Sequence, residues 1–300
     1  MNWFPIALLT AFSTATTDAV IKARFAGLSP YEMAVVRASA PVPFLLPPLL
    51  FMPWPVLEPG FWQTIALLLP IEIFALFFYM KAIKTSPLSL SVPFLAFTPV
   101  FMILTAWLLL GEKISQRGMA GILCTVAGAY LLHFRPGVSG ILRTFRAAVR
   151  DNGSRIMFFV SAIYAISGVL GKKAVSESAP FFFACFYFVL LGIATPVIFY
   201  LIPRFLGFGK YKRIIDPGDA GIVISWSAFA AVGLSQSVMV ISHMWAIHLV
   251  SAAYMIAVKR TSAIFSVLYG RFIFAEDEPI KRLAGAGLMV LGVALIMLTG

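Results

Sequence analysis

Apolar residues run through this chain in blocks of about twenty, and a block of that length is one helical crossing of a bilayer. The blocks lie near 3–21, 30–51, 61–81, 87–110, 116–134, 155–173, 180–203, 219–246, 250–274 and 280–299, which predicts ten spans. Between them stand the expected breakers: Ser29-Pro30, Pro53-Trp54-Pro55 with Pro59-Gly60, Ser86-Pro87, Gly111-Glu112, Ala179-Pro180 and Asp216-Pro217-Gly218. The second block carries Pro41, Pro43, Pro47 and Pro48, so its helix should bend or break. No connection is long enough for a further domain.

The pattern also repeats. A shift of 164 residues lays 105–132 on 269–296, matching Glu112 with Glu276, Gly121 with Gly285 and Gly128 with Gly292. Nearer the start the shift is 150, pairing Lys22 with Lys172 and Pro30 with Pro180, so the second half is longer by about fourteen residues, placed in the loop holding Lys210 to Arg213. The expected organisation is a first five-helix repeat over 1–135, a basic connecting loop over 136–154 and a second five-helix repeat over 155–300. Five is odd, so the second repeat enters the membrane in the opposite sense. Inverted repeats of this kind place a binding cavity near mid-depth between the halves. The predicted fold is an all-α polytopic membrane protein, ten helices in two inverted repeats around a central cavity.

Composition agrees with that class. Hydrophobic residues make up 61% of the chain and charged residues 12%, against about a quarter charged in soluble proteins. The net charge of +11 suggests nucleic acid only until the cations are placed, because most fall in short loops between spans. The two cysteines, Cys124 and Cys185, lie inside apolar runs, and the three histidines have no metal-ligand spacing. No disulfide frame, metal or cofactor is expected. The N-terminus lacks the basic region of a cleaved signal peptide and is read as part of the mature protein.

Polar residues inside the spans narrow the function. Lys259 and Arg260 sit side by side in the middle of Ala253–Ala275, where each costs about 2.5 to 3.5 kcal/mol on insertion scales. They must face helices or water, and two partners are open: an anionic substrate, or structural ion pairs with Glu72 or Asp18. Arg37 and Arg271 bring the intramembrane cations to four against those two carboxylates, with Arg271 near enough to a helix end to snorkel. The 164 shift pairs Glu72 with Gln236 and Tyr79 with His243, so the third and eighth spans carry polar groups at related places. Ser262 and Ser266 share the face of Lys259 and extend a polar strip. The candidate substrate-binding set is Lys259, Arg260, Glu72, Gln236, His243, Ser262, Asp18 and Arg37. Glu72 doubles as a candidate for proton coupling. At the equivalents of Lys259 and Arg260 the first repeat has Leu95 and Ala96, so the charge pair is an asymmetry laid on a duplicated scaffold. Small residues on the fifth and tenth spans (Gly118, Gly121, Gly128; Gly285, Gly287, Gly292) serve either the bundle interior or a homodimer contact.

The ten-span plan, the span-ending segments LLLGEKIS and IFAEDEPI and the GxxxxxxG helices after them resemble the EamA-type branch of the drug/metabolite transporter superfamily across the whole chain. Lys22 and Arg37 also sit where such proteins often carry basic residues. The resemblance implies an inner-membrane secondary carrier working by alternating access, and the sequence shows no nucleophile-and-base or metal set that would point to an enzyme. Locally, VKRTSAIFSVLYG resembles the helix of triose-phosphate/phosphate translocators in which a Lys-Arg pair holds the substrate phosphate, although 88–110 lacks the lysine those translocators carry on the fourth span.

The expected function is transport of a small anionic or zwitterionic metabolite, with a proton or counter-substrate as coupling partner. The alternatives are an exporter of neutral or aromatic amino acids or drugs, or a lipid-linked-sugar flippase. Orientation divides the signals. Odd-numbered loops hold fifteen cations and even-numbered ones four, which puts both termini outside the cytoplasm, whereas the family resemblance puts them inside.

Overall fold

The computed structural model describes residues 2–86, 94–132, 150–205, 225–274 and 283–298, and it is helical throughout. Twelve helices are described: α1 Trp3–Phe25, α2 Pro30–Ser39, α3 Val42–Phe51, α4 Phe61–Thr85, α5 Thr98–Leu110, α6 Gln116–Leu132, α7 Asn152–Ser176, α8 Pro180–Phe205, α9 Trp226–Leu249, α10 Ala252–Lys259, α11 Ser262–Phe274 and α12 Leu283–Met297. They group into the ten predicted spans, because α2 with α3 and α10 with α11 each form one broken crossing. Six described spans have the length and apolarity to cross a membrane alone, and α5 and α12 are shorter apolar helices. Several ends differ from the sequence reading. Lys22 and Arg24 belong to the last turn of α1, not to a loop. The longer loop of the second half, most of 136–154, Glu276 and the side chain of Arg271 lie outside the described residues.

The break in the second span is set by proline. Pro41 and Pro43 have no N–H to donate, α2 closes with Ala40 bonding Val36, and α3 restarts with Phe44 and Leu45 donating to Pro41. The ninth span was read as one continuous helix, and it breaks at Arg260–Thr261 without any proline. There the Thr261 hydroxyl and amide both donate to the Val258 carbonyl, at 2.7 and 3.0 Å, which tightens the turn into three-residue bonds.

The packing obeys the duplication. Exchanging each span for the one five places on turns the α1–α9 contact into α7–α4, and α1–α11 into α7–α5; all four are formed. Three further interfaces pair a span with its own counterpart: α6 with α12, α8 with α2 and α3, and α10 with α5. The glycine stripes of the fifth and tenth spans therefore meet each other inside one chain. A Cβ at Gly121 would fall 2.6 Å from the Gly292 carbonyl oxygen, and one at Gly128 would fall 2.7 Å from that of Gly285. Hydroxyls join α1 to the second half, with Thr10 to Ser242 and Thr17 to Ser235 both at 2.9 Å. Large apolar side chains such as Leu104, Leu108 and Leu234 are left on the outer surface, as helices bathed in lipid require.

Candidate functional site

Spans from both halves enclose a cavity of about 200 Å³. All eight residues picked out from the sequence line it: Asp18 of α1, Arg37 of α2, Glu72 of α4, Gln236 and His243 of α9, Lys259 at the end of α10, Arg260 at the break and Ser262 at the start of α11. Ser266 lines it too. Three cationic side chains thus face two carboxylates.

They are not paired off evenly. Arg37 Nη1 donates to Asp18 Oδ1, and its guanidinium lies 5.6 Å from the Tyr79 ring centre. This ion pair leaves Asp18 with a partner of its own. Lys259 Nζ approaches two uncharged groups, His243 Nδ1 at 3.4 Å and Met239 Sδ at 3.6 Å. Arg260 Nη2 donates to Thr98 Oγ1 at 3.0 Å, and the buried Arg260 Nε has no hydrogen-bond acceptor. Among the described residues, then, neither Lys259 nor Arg260 forms the ion pair with Glu72 or Asp18 that stood as the alternative to substrate. Gln236 is 6% exposed, and its buried Oε1 has no donor. A buried guanidinium N–H and a buried amide oxygen left open in one cavity are costly unless something enters to meet them.

Sequence reasoning missed the aromatic part of the lining. Tyr164, Phe183 and Tyr187 reach the cavity from α7 and α8, with the Tyr164 ring 6.1 Å from that of Tyr79. Aromatic residues are so common in these spans that nothing in their spacing distinguishes cavity from lipid. Thr98 was missed as well, although the 164 shift that pairs it with Ser262 was available to find it. Leu95 and Ala96, the uncharged equivalents of Lys259 and Arg260, line the same cavity.

A ten-span bundle of two repeats closed around a polar cavity at the depth of broken helices is the architecture of a membrane carrier. The chain belongs to the EamA-like transporter family, whose sequence model matches residues 1–134 and 153–298. It is therefore a multi-pass integral membrane protein of the drug/metabolite transporter superfamily. The match speaks for the whole chain and does not extend to the local likeness to triose-phosphate translocators. No curated protein matches by sequence. Among solved structures, a crystal structure described only as that of a protein aligns with 99% of this chain and 96% of its own, with a TM-score of 0.71 and 16% identity, a likeness of fold alone.

Proposed function

We propose that this chain is a secondary carrier, not an enzyme, that moves a small anionic or zwitterionic metabolite across a bacterial inner membrane by alternating access. The carrying observation is that Lys259 and Arg260 line the central cavity and, among the described residues, hydrogen-bond to uncharged partners only. An ammonium and a guanidinium in a poorly hydrated site favour a carboxylate or phosphate strongly. Glu72 and Gln236 supply acceptors for a donor elsewhere on the substrate, and Glu72 is the group for proton coupling.

The test is thermal stabilisation of the purified protein by inorganic phosphate, succinate, glycine, phenylalanine and a cationic dye, followed by uptake into reconstituted vesicles. Stabilisation by phosphate, succinate or glycine that is absent from Lys259→Ala and Arg260→Ala supports the reading. Wild-type uptake of the stabilising probe by both variants overturns it. The tyrosines and Phe183 in the lining favour a second reading, export of aromatic amino acids or drugs, for which stabilisation by phenylalanine or the dye would survive both substitutions.

A further inference from the structure

Glu112 and Lys172 lie beyond the cavity, and the contacts of the Glu112 carboxylate all run between the halves. Gly111, in the left-handed region at φ 68°, ends α5 and turns the chain so that Glu112 follows outside the helix. The Glu112 carboxylate then pairs with Lys172 in the last turns of α7. It also accepts from Ser251 Oγ at 2.8 Å and from the Ala252 amide at 3.1 Å, capping the start of α10. Lys172 donates in turn to the Val250 carbonyl at 2.6 Å. Both charged side chains are about 85% buried.

Three connections meet here: those after α5, α7 and α9. They follow the fourth, sixth and eighth spans, so they emerge on one face of the membrane. More contacts cross between the halves on that face. Tyr254 OH bonds the amide and hydroxyl of Ser115 at 3.2 Å, and Glu177 receives the Glu58 amide at 2.9 Å and the Thr64 hydroxyl at 2.7 Å. The cavity lies directly beneath. Gly171, the residue before Lys172, lines it, as does Ile256, one helical turn along α10 from Ala252.

We infer that the Glu112–Lys172 pair is a gate, closed in this structure, that separates whenever the cavity opens to the face of the even-numbered loops. The inference rests on the carrier reading, because only a protein whose halves move apart has reason to break the pair. A cap needed for stability alone is served by contacts within one half. Every bond accepted by the Glu112 carboxylate here reaches from the first half to the second. A buried ion pair holds such a closure well, since separating it leaves two charges that need water, and the opening face supplies water.

The test needs no substrate. In a chain with Cys124→Ser and Cys185→Ala, a Ser262→Cys reporter at mid-depth is labelled with an impermeant maleimide from either side of the vesicle. A separate Val56→Cys reporter, 91% exposed in the second loop, identifies the even face. Lys172→Met and Glu112→Gln should raise even-face labelling of position 262 by about tenfold, the population change for the loss of one modest contact. The exchange Glu112→Lys with Lys172→Glu should bring it back towards wild type. Ser251→Ala, a milder change that keeps the ion pair, should raise it about twofold and covers the case in which the charge variants do not fold. Labelling that stays at the wild-type rate in every folded variant overturns the gate. If labelling changes as expected while the anion screen fails, the gate stands and the substrate reading falls.

Discussion

The fourth and ninth spans are the same object with different chemistry. In each, a three-residue turn, Phe97 to Phe94 and Thr261 to Val258, leads into a helix, and the two helices start 164 residues apart: α5 runs Thr98–Leu110 and α11 runs Ser262–Phe274. A threonine marks each turn. The Thr98 hydroxyl donates to Leu95 and the Thr261 hydroxyl to Val258, at 2.7 Å in both cases. Yet the ninth span carries Lys259 and Arg260 where the fourth has Leu95 and Ala96. Duplication has kept the turn, and of these two spans only the ninth has acquired charge at it. The two turns touch through Arg260 and Thr98, so the charged turn is positioned by a hydroxyl of its uncharged counterpart.

The largest effect should come from moving the charge. Lys259→Leu with Arg260→Ala should weaken binding of the stabilising anion by about 10- to 100-fold, the value of one or two charge-assisted contacts. Adding Leu95→Lys with Ala96→Arg should restore part of it, since those positions line the same cavity across the pseudo-symmetry axis. Calorimetric titration of the purified variants measures both steps. Equal binding in the wild type and the neutralised variant would break the comparison.

The self-paired crossings offer a contrast in the same terms. Where the fourth and ninth spans meet through polar groups, the fifth and tenth meet through glycine backbone, and Gly292 leaves no room for a side chain beside the Gly121 carbonyl. Gly292→Leu should cost about 2–3 kcal/mol by overpacking. Denaturation in mixed micelles reads the loss, and anion affinity of the surviving folded fraction should stay at wild type.

Thr98→Val keeps shape and removes the hydroxyl that receives Arg260. Affinity for the anion should fall about fivefold, as for one lost hydrogen bond, and Thr98→Ser should restore it. A variant that melts lower but binds as before would make Thr98 a feature of the turn alone.

Much of this was legible in the sequence because hydrophobic spacing reports crossings and rare intramembrane charge reports cavities. The spans and their repetition came from the first signal, and the eight cavity-lining polar residues from the second together with the repeat and the helical face of Lys259. The break at Thr261 was not, since any threonine in a helix can bond backward and only its neighbours decide whether it does. Nor were Tyr164 and Tyr187, because spacing along a helix says nothing of the helix's rotation against others. Glu112 and Lys172 are sixty residues apart, and the repeat marked each of them without saying that they meet. The glycines of the fifth and tenth spans were found but not their partner, for the same reason.

The smallest predicted effect concerns how these two spans begin, the fourth and the ninth. The residue before the ninth span, Val250, is held by Lys172 at the end of α7, and its repeat counterpart before the fourth span, Ser86, is held by Asp151 at the beginning of α7. Asp151 accepts from the Ser86 hydroxyl at 2.8 Å and from the Ser154 amide and hydroxyl at 2.8 and 2.9 Å. Partial burial pushes the Asp151 carboxyl upward, but these bonds outweigh it and hold it below its ordinary 3.8. The ionised form is thus favoured by folding. Its contribution is complete above the ordinary carboxylate value and is lost as pH falls through the lowered one. Asp151→Ala should cost about 0.5–1 kcal/mol at pH 7, as the loss of a helix cap does, or about 2 °C in melting temperature. The gap between variant and wild type should narrow as pH falls below the ordinary 3.8 and through the lowered value. Loss of that gap in acid separates the Asp151 anchor on the fourth span, a carboxylate, from the anchor on the ninth, where Lys172 donates to a backbone carbonyl. A gap for Asp151→Ala that is constant from pH 7 to pH 3 would remove the distinction.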